Sequence, residues 1–417
     1  MKILLIHQYF LEKEDGGGSR FNEMTKVWAK AGNEITVLAG MVHYSTGKKK
    51  KKYRGKYILE EPDFYENVDV IRCYVSERYN SNFIGRLSAY FSFVLSSIYA
   101  GLFRLKGKHD VILVTSPPLF VGITAFVISK IKRLPIVFEI RDLWPESAID
   151  TGVLKSKGVI KLAYWFEGFI YSRAKLICVL TPAFRDTLIK LKKVPEDKII
   201  LIPNAADFAL AEKIENDHLF NALRFKKELG LEGKFVITYV GAHGVANHLI
   251  QLLDAAENIR DTNIVFQLIG SGMRKEFLQK EVLKRGLRNI IFRKPVSKSD
   301  VFRYILASDA GISVLKNVEA FRTIYSNKTF DYMSCKIPVL LVIDGVSREL
   351  VDKAKCGYFA EPENAFDISI KARQLSTLTK YDLDEMGENG YRYAKANFDR
   401  AELSKRYIDE IERSISN

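Results

Sequence analysis

Short apolar runs rich in β-branched residues alternate with longer amphipathic stretches along the whole chain. The runs predict strands and most of the stretches between them predict helices, an alternation typical of a mostly parallel sheet covered by helices on both faces. In the first half, the predicted strands are Lys2–Ile6, Glu34–Leu38, Val68–Tyr74, Val111–Thr115, Ile136–Ile140, Leu176–Leu180 and Ile199–Ile202.

Turn residues interrupt this rhythm at 202–207, and a second series of strands and helices begins at Phe235–Val240. The further predicted strands are Ile264–Ile269, Ile290–Phe292, Gly311–Leu315, Pro338–Ile343 and Tyr358–Ala360. We therefore expect an α/β protein with two Rossmann-like parallel-sheet domains, 1–205 and 206–398, that face an interdomain cleft. A C-terminal helix at 399–417 is expected to pack back on the first domain.

The composition excludes several classes of protein. A chain of 417 residues with 47% hydrophobic residues is globular and predicts two or three domains with ample cores. The 4 cysteines form no CxxC pair, so neither a disulfide framework nor a zinc site is indicated, and a cytoplasmic compartment fits. We recognise no signal peptide, and the stretch that comes closest to a membrane span, Leu87–Phe103, falls short of the ~20 residues required and contains four serines.

The net charge of +14 lies mostly in the first half of the chain. Residues 1–200 carry 32 basic and 20 acidic side chains, whereas residues 201–417 carry 32 and 30. A low-complexity basic loop contributes Lys48, Lys49, Lys50, Lys51, Lys52 and Arg54. A basic surface attracts the phosphates of nucleic acid, of an anionic membrane or of a small ligand, and charge alone leaves all three open.

Ligands of open parallel sheets bind beyond the carboxyl ends of the strands, so the residues that follow each strand are the first candidates. Gly16, Gly17 and Gly18 follow the first strand and precede an amphipathic helix. Their flexible backbone and the free amides of a helix N-terminus suit a phosphate or a sugar oxygen. A flexible loop without a ligand is the alternative.

An acidic and aromatic cluster follows the strand Ile136–Ile140. Its members are Glu139, Arg141, Asp142, Trp144 and Glu146. The acids can bind sugar hydroxyls or accept a proton, and the tryptophan offers a flat apolar face to a sugar ring. The alternative for one of the acids is a structural arginine–carboxylate pair that closes the strand.

Two glycine loops follow successive strands of the second domain. One contains Gly241 and His243, and the other contains Gly270, Gly272 and Arg274. Each loop alone is a weak signal, but together they predict a nucleotide pocket at one edge of the sheet.

A predicted helix after residue 325 carries the fourth candidate site. Ser326 can cap this helix, and its first turn holds Asn327 and Lys328. Free amides beside an ammonium group can bind a diphosphate without a metal. One turn later, Asp331 can accept hydrogen bonds from ribose hydroxyls or pair with Lys328.

These motifs, in this order, resemble glycosyltransferase family 4, whose members have the GT-B fold and retain the anomeric configuration. The resemblance includes Pro203-Asn-Ala-Ala-Asp207 at the domain joint and Ser326-Asn-Lys-x-x-Asp-Tyr-Met333. Arg141-Asp-Leu-Trp-Pro-Glu146 is similar, more narrowly, to the WbuB-like branch, predicted N-acetyl-fucosamine transferases of O-antigen and capsule assembly.

The resemblance implies transfer of an N-acetylated sugar from a nucleotide sugar, UDP-linked, to a polyprenyl-diphosphate-linked or other saccharide acceptor, with no metal or other cofactor. It implies that Lys328, Ser326 and Asn327 bind the phosphates of the nucleotide and that Asp331 binds the ribose. The loop Gly16–Gly18 would approach the β-phosphate and the donor sugar. Asp142 falls at the strand end where family members often carry a sugar-binding histidine.

Two departures from the family pattern concern the phosphate site. The two glutamates that the family spaces eight residues apart fall on Thr323 and Asp331. The arginine and lysine usual after the first strand of the second domain are replaced around His243. Arg274 and Arg293, together with Lys328, are the cations available to replace them.

The acceptor is expected on the basic first domain. A polyprenyl-linked acceptor would place the protein at the inner face of the cytoplasmic membrane, with Lys48–Lys52, Arg54 and Phe91 as contacts. A buried helix and a solvated lysine loop are the alternative. Two rival functions are a UDP-sugar 2-epimerase of similar two-domain architecture and nucleic-acid binding, which depends on charge alone.

Overall fold

The computed structural model describes residues 1–13, 15, 20–43, 47–80, 83–150 and 154–416. The glycine loop Gly16, Gly17 and Gly18 therefore lies outside the described residues. The chain divides into two compact units: unit 1 is Met1–Pro203 with Ala401–Asn417, and unit 2 is Asn204–Arg400. These bounds lie within about two residues of those expected from the sequence.

Unit 1 is built on a sheet of eight strands in the order β3-β4-β2-β1-β5-β6-β7-β8. The strands are β1 Lys2–His7, β2 Glu34–Gly40, β3 Ile58–Tyr65, β4 Val68–Cys73, β5 Val111–Ser116, β6 Ile136–Ile140, β7 Leu176–Val179 and β8 Ile199–Leu201. All neighbours are parallel except β3, which runs antiparallel to β4 at the edge. Strand β3 was not predicted, because its exposed acids and Pro62 leave this edge strand without an apolar run.

The helices of unit 1 cover its sheet. They are α1 Arg20–Lys30, α2 Phe83–Phe103, α3 Val121–Lys132, α4 Glu146–Asp150, α5 Lys157–Arg173, α6 Pro182–Lys190 and α17 Arg400–Ser416. The terminal helix packs on unit 1, where the Trp28 indole donates a hydrogen bond to the Ser404 carbonyl at 2.8 Å. The Trp28 and Tyr407 rings meet edge to face, with centroids 5.7 Å apart.

Unit 2 holds a second, all-parallel sheet in the order β11-β10-β9-β12-β13-β14. The strands are β9 Phe235–Val240, β10 Ile264–Ile269, β11 Ile290–Arg293, β12 Ala310–Val314, β13 Val339–Val342 and β14 Gly357–Phe359. The helices are α7 Phe208–Glu215, α8 Ala222–Glu228, α9 Ile250–Glu257, α10 Lys275–Arg285, α11 Lys298–Leu306, α12 Glu319–Arg322, α13 Asn327–Ser334, α14 Val346–Ala354, α15 Ala365–Thr377 and α16 Lys380–Phe398.

The core of each unit lies between its sheet and the helices. In unit 2, Ile237, Phe266, Ile312 and Leu340 come from four neighbouring strands and are fully buried in one cluster. Strands that are buried on both faces have continuous apolar sequences, and for this reason these strands were predictable from the sequence. The expected pair of Rossmann-like parallel sheets is confirmed. Within the described ranges, no helix is long and apolar enough to cross a membrane.

Candidate functional site

The two glycine loops of unit 2 lie in backbone contact where β9 and β10 end side by side. Gly241, Gly270 and Gly272 have φ angles of 143°, 147° and 159°, which L side chains rarely adopt. A Cβ atom added to Gly270 would lie 1.9 Å from the Gly241 carbonyl oxygen, and one on Gly272 would lie 2.5 Å from that of His243. The fold therefore requires glycine here, where the sequence placed a nucleotide pocket.

His243 is completely buried between two aromatic side chains of this region. Its ring centroid lies 6.0 Å from that of Tyr239 and 5.9 Å from that of Phe292. Neither ring nitrogen has a hydrogen-bond partner among the described residues. Burial, with Lys275 nearby, lowers the pKa of His243 to about 4, so the imidazole is neutral at physiological pH. Buried polar atoms are rarely left unpaired, and a bound ligand can satisfy them.

Lys328, in the first turn of α13, lies beside the β9 loop. Its Nζ atom is 5.1 Å from the Tyr239 ring centroid and donates a hydrogen bond to Ser326 Oγ at 3.3 Å. A Cβ atom on Gly241 would approach Lys328 Cε to 3.4 Å. Burial lowers the pKa of Lys328 to about 8, with only partial opposition from Asp331. A partly buried ammonium of this kind favours a bound anion, which would compensate its lost hydration.

Ser326 occupies the N-cap position of α13 but does not cap it as predicted. Its hydroxyl accepts a hydrogen bond from the Lys328 ammonium, and its side chain accepts none from the helix backbone. Asn327, the first helical residue, is exposed. The helix N-terminus thus keeps amide groups that no side-chain cap satisfies, next to an ammonium group.

Asp331 lies one turn beyond Lys328. Within the described residues, its carboxylate oxygens form no ion pair with the Lys328 ammonium at 4 Å or less, although the sequence suggested that pair. Burial raises the pKa of Asp331 to about 6, and the nearby cations of Lys298 and Arg400 oppose this shift. Those two cations lie close to a second acid, Asp207, with which Lys298 forms an ion pair. The Asp331 carboxylate is therefore available as an acceptor at neutral pH.

The other residues predicted for nucleotide binding have different surroundings. The Arg293 guanidinium donates to Gln267 Oε1 and to the Leu229 carbonyl, both at 3.1 Å, so two of its nitrogen atoms are engaged within the protein. Arg274 is exposed and stacks over Phe277, with 4.7 Å between its Cζ atom and the ring centroid. Thr323 donates its hydroxyl hydrogen to the Ala320 carbonyl at the end of α12.

In unit 1, Glu139 is buried and ion-paired, surroundings that favour a structural role over the predicted catalytic one. The Arg20 Nε atom lies 3.1 Å from Glu139 Oε2, and both side chains are almost fully buried. Arg20 also donates to the carbonyl oxygens of Ile202 and Pro203, at 2.7 and 2.5 Å. This is the structural arginine–carboxylate pair considered from the sequence, but its arginine is Arg20 rather than Arg141.

Asp142 remains the candidate acid of this cluster. It accepts a hydrogen bond from the Ser147 hydroxyl at 2.8 Å, and burial raises its pKa to about 6 despite that bond. Glu146 instead pairs with Lys192, which also lies 2.7 Å from Glu167. Glu146 is thus part of a lysine-centred ion network.

The remaining members of the β6 cluster are partly exposed. The Arg141 amide donates to the Ser116 carbonyl at 3.0 Å, which continues the pairing of β5 and β6. The Trp144 ring meets Phe120 edge to face, with centroids 5.8 Å apart.

The lysine loop of unit 1 is largely paired within the protein. Lys50 Nζ lies 2.7 Å from Asp15 and 3.2 Å from Glu12, and Lys52 Nζ lies 2.8 Å from Glu12 and 2.7 Å from Glu61. Lys49 Nζ sits 3.6 Å from the centroid of the Tyr74 ring. The side chains of Lys48, Lys51 and Arg54 are exposed. The loop therefore presents less uncompensated charge than its composition suggests.

Sequence reasoning missed the side chains that hold the predicted residues in place. Lys275 donates to the carbonyl oxygens of Gly270 and Arg293, at 2.7 and 2.6 Å, and so fixes the β10 loop. The sequence feature that could have indicated this contact is the presence of a lysine directly after the glycine loop. Tyr239, Ser147 and Lys192 carried no comparable signal, because their partners are set by tertiary contacts.

Two family models together match most of the chain. Residues 15–205 match the model described as "Glycosyl transferase 4-like domain", and residues 221–393 match "Glycosyl transferases group 1". The chain is a family 4 glycosyltransferase. The resemblance expected from the motifs is thereby confirmed at the level of the family.

Two relatives match this family 4 glycosyltransferase in sequence. A protein of Escherichia coli (strain K12) named for colanic acid biosynthesis, the glycosyl transferase WcaI, is 24% identical over 421 residues, covering 99% of this chain and 100% of that protein. The glycosyltransferase WbjE of Pseudomonas aeruginosa is 22% identical over 67% of this chain and 68% of its own length.

Solved structures show the same fold at low sequence identity. Sucrose-phosphate synthase from Thermosynechococcus elongatus has a TM-score of 0.73 at 14% identity, with 100% of this chain and 99% of that chain covered. Anabaena HepE, solved in complex with UDP, has a TM-score of 0.70 at 16% identity, with 99% and 100% covered. These GT-B structures support the fold of the family 4 glycosyltransferase.

Proposed function

We propose that this glycosyltransferase binds a nucleoside-diphosphate sugar, UDP-linked, in unit 2 and transfers an N-acetylated sugar with retention of configuration. The observation that carries the proposal is the partly buried Lys328 ammonium beside the glycine loop and the N-terminus of α13. Lysine and amide donors of this kind suit a diphosphate. The HepE structures with UDP and with UDP-glucose add support from proteins of the same fold.

The chemical demand on such a site is to stabilise the diphosphate as it leaves the sugar. Fixed cationic and amide donors meet this demand without reorganisation when the charge develops. The neutral, unpartnered imidazole of His243 can hydrogen-bond the nucleotide, and Asp331 can accept from ribose hydroxyls. In unit 1, Asp142 is proposed to bind a sugar hydroxyl. We propose that no metal is needed, since lysine and amides supply the positive charge.

The acceptor is proposed to be a polyprenyl-diphosphate-linked or other saccharide of surface polysaccharide synthesis, such as O-antigen or capsule. The name of the WcaI relative and the motif Arg141-Asp-Leu-Trp-Pro-Glu146, similar to the WbuB-like branch, support this class. The protein would then work in the cytoplasm at the inner face of the membrane.

Two measurements test the proposed reaction. Thermal stabilisation by UDP, but not by uridine, is expected, and it should persist in excess EDTA; no stabilisation by any nucleoside diphosphate would contradict the donor site. Incubation with membranes and a panel of UDP-sugars should yield a lipid-linked product, detected by mass spectrometry. Altered sugar released from the donor alone would favour the 2-epimerase instead.

A further inference from the structure

Helix α2 exposes an apolar stripe along its length. Ile84, Leu95 and Phe103 are 76%, 65% and 70% exposed, and Phe91 and Tyr99 lie between them on the same face. Their spacings of seven, four, four and four residues put the five side chains on one side of a helix. An amphipathic helix of a globular protein normally turns its apolar stripe inward, so a second, outward stripe calls for a partner.

The exposed apolar surface continues across two neighbouring helices. A Cβ atom on Gly101 of α2 would lie 2.2 Å from Ile128 of α3, and one on Gly122 of α3 would lie 2.8 Å from Ile170 of α5, so the three helices pack closely side by side. On α5, Leu162 and Trp165 are 61% and 64% exposed.

An aromatic contact joins the outer helices. The Phe120 ring centroid lies 5.0 Å from that of Phe91 on α2 and 6.0 Å from that of Phe166 on α5. The exposed side chains of α2, α3 and α5 therefore form one surface, which we call the helical face.

The helical face carries basic and almost no acidic side chains. The basic residues of its helices are Arg86, Lys130, Lys132, Lys157, Lys161 and Arg173. Glu167 is the sole acid in the sequence of these helices, and it is buried and paired with Lys192. Lys155, just before α5, is exposed and adds to the same charge.

We propose that the helical face is a docking surface for an anionic lipid bilayer. Exposed Leu, Phe and Trp with a basic surround are the combination that enters the interface of an acidic bilayer. A second copy of the chain fits less well, because face-to-face pairing would bring two sets of basic residues together. The lysine loop fits less well too, since Lys50 and Lys52 already pair with acids.

The proposal goes beyond the sugar transfer and is tested on the full chain without substrate. Co-sedimentation with phosphatidylcholine vesicles, with and without phosphatidylglycerol, should show binding to the anionic vesicles. The variant Leu95→Glu/Leu162→Glu should lower the partition coefficient at least about ten-fold, because carboxylates replace two apolar contacts. The matched control Leu219→Glu/Leu223→Glu alters two leucines of unit 2 that are even more exposed, and it should bind as the parent does.

Tryptophan fluorescence gives a second measurement at the proposed face. Trp28 is fully buried, but Trp144 is partly exposed and contacts Phe120, so the measurement is made in a Trp144→Phe background. In that background an emission shift on adding anionic vesicles should come chiefly from Trp165 and should shrink greatly when Trp165→Phe is added. Equal binding by the Leu95/Leu162 variant and its control would overturn the proposal. So would a vesicle-independent dimer that this variant dissociates, since the face would then join two copies.

Binding of UDP separates this proposal from the transferase proposal. The Leu95/Leu162 variant should keep the UDP affinity of the parent, because its substitutions lie outside unit 2, and retained affinity also shows that the variant folds. Loss of vesicle binding with UDP binding intact supports the helical face. Failure of the parent to bind UDP would count against the donor site while leaving the vesicle result valid.

Discussion

The ammonium of Lys328 lies 5.1 Å from the centre of the Tyr239 ring, at the edge of the unit 2 sheet. Tyr239 comes from β9 and Lys328 from α13, so this contact joins two motifs that are far apart in the sequence. The face of the ring stabilises the ammonium without accepting a conventional hydrogen bond from it. Most of the ammonium N–H donors therefore stay available for an anion.

Replacement of Lys328 by methionine should weaken UDP binding roughly ten- to hundred-fold, the usual range for a lost charge-assisted hydrogen bond. The ligand-free protein should gain thermal stability, because a charge that burial disfavours is removed. Calorimetry and thermal unfolding measure the two effects. Lys353→Met, an exposed lysine on α14, is the control and should change neither. Unaltered UDP affinity in Lys328→Met would remove this lysine from the donor site.

The affinity for UDP should be highest between about pH 6 and pH 8. Above the Lys328 pKa of about 8 the ammonium loses its proton, and below the Asp331 pKa of about 6 the carboxylate gains one. A bound diphosphate favours the charged lysine and raises its pKa, so binding above pH 8 should take up a proton. Titrations in buffers of different ionisation enthalpy measure this uptake. Lys328→Arg should flatten the alkaline limb, and an unchanged limb would point to another group.

Replacement of Gly270 by alanine should destabilise the protein by at least about 1–3 kcal/mol, because a positive φ and a backbone clash act together. UDP binding should fall in parallel, since the clash displaces the loop around Gly241. Gly244→Ala is the matched control in the same region, where the nearest atom to a new Cβ would be 3.5 Å away. Equal stability of the two variants would show that the loops relax more easily than their contact indicates.

The acids Glu139 in β6 and Asp142 just after it should respond differently to substitution. Glu139→Gln leaves the buried Arg20 without its counter-charge and should cost about 3–5 kcal/mol of stability. Asp142→Asn should leave the unfolding temperature nearly unchanged and lower turnover about ten-fold or more, as expected for a group that binds substrate. Thermal unfolding and steady-state kinetics separate the two roles. A fully active Asp142→Asn enzyme would exclude this carboxylate from the reaction.

Most strands were predictable because parallel strands buried on both faces have sequences of continuous apolar residues. The edge strand β3 was missed for the opposite reason, since one of its sides faces solvent and its sequence is acidic. The α13 motif was predictable because helix N-termini and their first-turn residues are adjacent in sequence. The hydrogen bond of the Ser326 hydroxyl was not predictable. Side-chain rotamers decide whether it caps the helix or accepts from Lys328.

The sequence by itself determined the alternation of strands and helices, the family, and the glycine and lysine positions of the candidate donor site. These depend on local spacing and residue type. Only the tertiary structure decided which charges are already neutralised: Arg20 pairs with Glu139 across 119 positions, and Asp15 pairs with Lys50 across 35. It also showed that Phe91, Tyr99 and Phe103 of α2 are exposed. Pairing and exposure depend on which distant segments meet, and a single sequence does not record that.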